Sequence, residues 1–198
     1  FGDLPAAYDN ALPGHHLLRR IGVNGDQPIS PTTATSIDLA DFILDPTAPY
    51  LGAIEPISRR EATPDASADA HEQDDGVQLP ESLVPGSSVT IPVFVSGSGT
   101  LNAWVDWDGN GNFNGGDDQI AANVSGNDVI NLTVTVPDDA QPGETFARFR
   151  WSSQSSLSPS AIAADGEVED YRITILEPTT RIGGRVFNDN GLNSTTGG

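Results

Sequence analysis

The chain has 198 residues, enough to bury one sizeable core in one domain or two small ones. Its 28 Asp and Glu against 9 Lys and Arg give a net charge of -19, which excludes binding of nucleic acid or anionic membranes through a basic patch. With no cysteine it has no disulfide, and no apolar run approaches the roughly 18 residues that a membrane-spanning helix needs.

Residues 1 to 80 are loop-rich, because nine prolines from Pro5 to Pro80 interrupt every short apolar piece. Strands are expected at His16-Arg20, Ala48-Ile54 and Gly76-Leu79, and a short helix over Thr35 to Leu44, capped by Ser36 with Asp38 in its first turn. From Ser82 onward the pattern sharpens. Ser87 to Val95 alternates, with Val89, Ile91, Val93 and Val95 on one face. Leu101 to Trp107 follows a Gly-Ser-Gly turn, and Val129 to Val136 alternates again until Pro137. Thr145 to Trp151 and Tyr171 to Leu176 complete the set. Short alternating strands between turn signals predict an all-β fold, an antiparallel β-sandwich of immunoglobulin-like or jelly-roll-like kind with a loop-rich N-terminal part. After Glu177-Pro-Thr-Thr180, Arg181 to Phe187 reads as one more strand, leading into the oxygen-rich turn Asn188 to Asn193. We therefore expect a domain over 1–178 and, over 179–198, a linker with the first strand of a following module or a strand donated elsewhere. The ends, Phe1-Gly-Asp-Leu-Pro and Thr195-Thr-Gly-Gly, read as those of a piece of a longer or processed protein.

The chemistry concentrates in Trp104-Val-Asp-Trp-Asp-Gly-Asn-Gly-Asn-Phe-Asn-Gly-Gly-Asp-Asp118. Asp106, Asp108 and Asn110 alternate, Gly111 and Asn112 follow, and Asp117 or Asp118 closes the loop. This is nearly the spacing of a calcium loop, with oxygen ligands at positions 1, 3 and 5, a Gly at 6 and an acid near 12. Calcium collects six to eight oxygens around one point, so the chain must curl where glycine alone turns without strain. The terminal acid is an Asp where helix-loop-helix sites use a bidentate Glu, and the flanking pattern is a strand, so the loop is expected on a β scaffold. Its bland counterpart is an Asn/Gly/Asp-rich hairpin without metal.

Two further acidic clusters stand out. Asp69 to Gly76 includes Asp74 and Asp75, and Asp165-Gly-Glu-Val-Glu-Asp170 includes Glu167 and Asp170, immediately before a strand. Each alone reads as a solvated loop. Together, Asp74, Asp75, Glu167 and Asp170 are candidates for a second calcium site or for completing the first, since strand ends on one side of a sandwich can converge. Paired carboxylates also suit glycoside hydrolysis, but the sequence cannot place two of them across a cleft at the separation of about 5–9.5 Å that the reaction needs. No His, Ser or Tyr motif supports catalysis, so no enzymatic activity is expected. His15, His16 and His71 lack zinc-like spacing. Trp104 and Trp107 fall on opposite faces of their strand, and Trp151 shares a face with Phe149, so core packing is expected for at least two of the three rather than a sugar-stacking platform.

Asp165-Gly-Glu-Val-Glu-Asp-Tyr171 resembles the signature of the GEVED domain, a module of large secreted and surface-anchored bacterial proteins. Phe1-Gly-Asp-Leu-Pro, Leu51-Gly-Ala-Ile-Glu55, Asp74-Asp-Gly-Val77, Ala103 to Phe113 and Ala147-Arg-Phe-Arg150 resemble that family's other motifs, in order, over residues 1 to about 176. Residues 22–49 depart from the pattern as an insertion, and Ala70-His71 interrupts the usual acidic run. Arg181 to Asn193 resembles the start of the B-type repeats of surface adhesins, whose opening strand runs into a calcium loop. The resemblance implies a non-enzymatic, calcium-binding β-sandwich, secreted and displayed at the cell surface. Its partners would be neighbouring domains or copies of the same protein, or surface glycans or proteins. Two alternatives remain open: an extracellular filament built by donation of the strand Ile182 to Phe187, and a calcium-dependent carbohydrate-binding module.

Overall fold

In a computed structural model of the chain, the residues described are 4–5, 7–8, 49–53, 75–160, 163 and 165–178. They form eight strands: β1 (Tyr50–Leu51), β2 (Ser82–Leu83), β3 (Ser88–Ser96), β4 (Thr100–Val105), β5 (Gln119–Val124), β6 (Asp128–Thr135), β7 (Gly143–Ser152) and β8 (Glu167–Ile175). No helix occurs among the described residues, so none there is long and apolar enough to cross a membrane. The strands expected at His16-Arg20 and Arg181-Phe187, and the helix expected over Thr35 to Leu44, lie outside the described residues.

One sheet has three strands in the order β1-β3-β6, all antiparallel. The other has five, in the order β2-β8-β7-β4-β5. It is mixed rather than purely antiparallel, because β2 runs parallel to β8, with Ser82 opposite Thr174 and Leu83 opposite Ile175. This corrects the fully antiparallel expectation. The two-residue β2 is tied at both ends by backbone bonds, Thr174 N–H to Glu81 and Leu176 N–H to Leu83. So short an edge strand carries no alternation for the sequence to reveal.

The sheets share one core. Ile91, Val93 and Val95 of β3 and Ile130, Leu132 and Val134 of β6 meet Leu101, Ala103 and Val105 of β4, Ala147, Phe149 and Trp151 of β7, and Tyr171, Ile173 and Ile175 of β8. β6 is the plain case of period-two patterning: from Val129 on its burial alternates, with Ile130, Leu132 and Val134 inward and Val129, Asn131, Thr133 and Thr135 outward. β4 and β7 are buried on both faces, because other parts of the chain cover the outer face of the five-stranded sheet. At one end of it Leu4 and Tyr8 pack with Trp104, Phe113 and Phe146. At the other, Leu157 and Ala163 of the loop after β7 pack on Val168. Trp104 and Trp107 therefore do face opposite ways, and all three tryptophans are core residues, each under 5% exposed.

Candidate functional site

The loop between β4 and β5 begins with Asp106, which is fully buried, and ends with Asp118, which is 3% exposed. Its alternation has a local cause visible in the backbone. Asp108 Oδ1 accepts the amide of Asn110 (3.2 Å), Asn110 Oδ1 that of Asn112 (3.0 Å) and Asn112 Oδ1 that of Asn114 (2.9 Å). Each side chain caps the amide two residues on, so three successive Asx-turns wind the chain. Gly109 and Gly111 sit between them at φ of 65° and 82°, where other residues are strained.

The two buried carboxyls close this coil from either end. Asp106 accepts amides from Asn110 (3.1 Å) and Gly111 (2.9 Å), and also the Tyr8 hydroxyl (2.6 Å). Asp118 accepts amides from Gly115 (2.6 Å) and Trp107 (3.3 Å). Burial pushes the Asp118 carboxyl above its ordinary value, the two amides oppose that, and the negative Asp106 and Asp108 push it further up. Burial and the hydrogen bond to Asp106 likewise drive the Tyr8 hydroxyl well above its usual value. Asp117 is exposed; its contribution is the carbonyl that accepts the Trp107 indole N–H (3.1 Å). The loop thus draws Asp106, Asp108 and Asp118 into electrostatic range, with Asn110 and Asn112 on the same coil. Among the described residues, however, no three His, Cys, Asp or Glu side chains are gathered around one point at metal-holding spacing. The carboxyls turn to backbone amides instead.

The second acidic cluster lies elsewhere and is organised differently. The run from Glu167 to Asp170 does not precede a strand; it is the first half of β8. Strand alternation then splits it between two faces. Glu167 and Glu169 point inward with Tyr171, toward the three-stranded sheet. Glu167 Oε2 accepts the Leu51 amide (2.7 Å), and Glu169 Oε1 accepts that of Gly76 (2.9 Å). Glu169 Oε2 also accepts the Tyr171 hydroxyl (2.9 Å), which in turn accepts the Val77 amide (3.3 Å). These buried side chains clamp two separate N-terminal segments, 51–52 and 76–77, onto the core. Gly76 is needed for the approach: a Cβ there would lie 2.6 Å from Leu51 Cβ and 2.9 Å from Glu169 Oε2.

Asp170 points outward and forms a two-pronged pair with Arg148, Nε to Oδ1 at 2.7 Å and Nη2 to Oδ2 at 2.8 Å. Both side chains are fully buried. Asp75 Oδ2 accepts the Ala53 amide (3.2 Å), while its Oδ1 is buried without a partner. Asp74 lies outside the described residues.

Strand register fixes how far apart the two clusters are. Glu167 pairs with Trp151, which pairs with Leu101, whereas Asp106 follows Val105. Five residues along β4 correspond to roughly 17 Å. Glu167 and Asp106 therefore stand toward opposite ends of the sheet, so Glu167 does not complete the oxygen set of the 106–118 loop. Sequence reasoning missed Tyr8, Glu169 and Arg148 as partners of these acids. Alternation could have found the last two, since Glu167, Glu169 and Tyr171 share one parity, and Arg148 and Asp170 fall on outward positions of neighbouring strands.

Residues 100–174 match the GEVED domain family. The match runs from the start of β4 almost to the end of β8, so it includes both the 106–118 loop and the Glu167–Asp170 clamp. No curated protein matches the chain.

Proposed function

We propose that this chain is a calcium-stabilised structural module of a secreted, surface-displayed protein, without catalytic activity. The observation that carries it is the 106–118 loop: Asp106, Asp108 and Asp118 sit on one tight coil, two of them buried, and burial first, with the charges of Asp106 and Asp108 adding to it, opposes ionisation of Asp118. A divalent cation relieves that opposition. The donor set is all oxygen, from carboxylates, the amides of Asn110 and Asn112 and the loop carbonyls, which suits calcium and not a metal that prefers nitrogen or sulfur. Calcium supplies charge neutralisation and a cross-link, nothing more. Asp106 and Asp118 would hold it from the two ends of the loop, with Asp108, Asn110 and Asn112 along the turn between them. Their bonds to the amides of Asn110, Gly111, Gly115 and Trp107 hold the coil together before the ion arrives.

The wider composition supports the same reading. A net charge of -19 destabilises a compact chain through self-repulsion, and bound cations reduce it. With a dissociation constant of ~10 µM, an extracellular calcium level of ~1 mM stabilises the fold by about 2.7 kcal/mol. The chain would be loose where calcium is scarce and would set after export. Asp108 provides the test, because it is exposed and its bonds are to Asn110 alone. Asp108→Asn should lose most of the calcium-dependent rise in Tm while its Tm in EDTA stays near that of the parent. Equal losses in calcium and EDTA would sink the assignment.

A further inference from the structure

The outer face of β4 and β7 holds a second polar site of opposite sign. Arg150 is fully buried, and its Nε and Nη2 have no hydrogen-bond partner. Only Nη1 is engaged, on the carbonyl of Ser158. Asn102 lies directly opposite it on β4, 1% exposed, and its Nδ2 is also without a partner. The amide is oriented by its other end, since Asn102 Oδ1 accepts the Asn123 amide (3.1 Å). Thr100, next but one along β4 on the same face, has a buried hydroxyl likewise unpartnered. Three orphaned donors and one hydroxyl thus lie on one face of neighbouring strands, where each unsatisfied buried group is costly.

Arg148 and Arg150 stand two residues apart on the same face, and among the described residues Asp170 gives both its oxygens to Arg148 and neither to Arg150. Burial first, and the Arg148 charge second, lower the Arg150 pKa to about 10. The nearby Asp165 is spent on Ser152 and Ser153. A water molecule is a poor filler, because it brings two protons to a place already rich in donors. An acceptor-only species fits the inventory. The site is also closed: Arg148 and Arg150 bond to the carbonyls of Pro159 and Ser158, and the Ser156 amide bonds to Asn123 Oδ1, fastening the loop after β7 over the patch.

We propose that Arg150, Asn102 and Thr100 form a buried binding site for one small anion of halide size, enclosed between β4, β7 and the 153–160 loop. The anion is taken up as that loop closes and is integral to the folded state. This inference is independent of the calcium loop, which lies toward the other end of β4.

The test is the Tm of the full chain in sodium chloride, sodium bromide and sodium gluconate at one ionic strength and one calcium level. Gluconate is too large to enter, so Tm should be higher in both halides. With a dissociation constant of roughly 1 mM, 100 mM halide multiplies the folded-to-unfolded ratio about 100-fold. Arg150→Met should abolish the difference between halide and gluconate. Crystals of the parent chain in bromide give a second readout that needs no variant: an anomalous peak beside Arg150 Nε and Asn102 Nδ2. Equal Tm in all three salts, an undiminished halide effect in Arg150→Met, or a bromide-grown crystal with no peak there would each overturn the site.

Discussion

Removal of Glu169 probes the most deeply buried part of the clamp. Its side chain is fully buried and, among the described residues, accepts the Gly76 amide and the Tyr171 hydroxyl, both at 2.9 Å. In Glu169→Ala both donors lose that acceptor in a place water does not reach. Each such loss costs about 1–3 kcal/mol, so the pair costs about 4 kcal/mol at mid-range. For a chain of this size 1 kcal/mol moves Tm by about 2–4 °C, which gives a fall of roughly 8–16 °C. Glu169→Gln keeps one acceptor oxygen and should fall by less. Glu144→Ala is the control, because Glu144 is exposed and its 3.4 Å contact with Arg172 is solvated, so its change should stay within about 1 kcal/mol. The assay is calorimetric melting of the three variants beside the parent, with hydrogen exchange followed at Gly76 and Val77. If Glu169→Ala melts within error of Glu144→Ala, or if Gly76 exchange is no faster, Glu169 is not a clamp and the reasoning fails.

Three further outcomes follow from the same geometry. Gly76→Ala drives a methyl into Leu51 Cβ and the Gly52 amide, each 2.6 Å away, and should destabilise by about 1–3 kcal/mol in a urea titration; a neutral result would mean the two N-terminal segments are not held closely. Arg148→Met or Asp170→Leu alone strands a buried charge and should cost about 3–5 kcal/mol, whereas the double variant should lose far less than the sum; additive losses would deny the pair. Asp118 sets a pH dependence. Its folded value is raised, so the ionised carboxyl works against folding above that value, and the penalty fades as pH falls through it toward the ordinary aspartate range. In EDTA, the Tm of Asp118→Asn minus that of the parent should thus be most positive near neutral pH and shrink on acidification; a difference constant from pH 7 to 4 would contradict this.

Legibility in the sequence varied with the physics of each element. β3 and β6 announce themselves because one face meets the core and period-two patterning follows from that, and β7 does so because arginines alternate with its inward apolar residues although both its faces are buried. β5 escaped notice: Gln119–Val124 is an edge strand, bulged against β4 and mostly exposed, so it has no apolar rhythm. The pattern alone starts β8 at Tyr171, four residues late, because its first four residues include three acids. Acidic residues read as loop unless their partners are known, and here the partners are amides and an arginine more than 20 residues away. The 106–118 loop was legible as a coil of oxygen donors, since Asx-turns and glycines act locally. Tyr8, which caps Asp106 from 98 residues upstream, was not. Alternation with Phe149 and Trp151 puts Arg150 on the opposite face of β7, but the loop that buries it has no pattern that reveals its position.

The most direct test of the central claim is a calorimetric titration of calcium into the metal-stripped chain, with Trp107 fluorescence followed in parallel. Trp107 is the natural reporter, as its amide and indole bond to Asp118 and Asp117. The account predicts saturable binding at the loop, in the micromolar range, weakened at least about tenfold in Asp118→Asn, with the loss of a ligand carboxylate worth about 1.4 kcal/mol or more. No saturable heat up to ~10 mM calcium, or binding unchanged in Asp118→Asn, would contradict it and leave the loop a coil of Asx-turns that needs no ion.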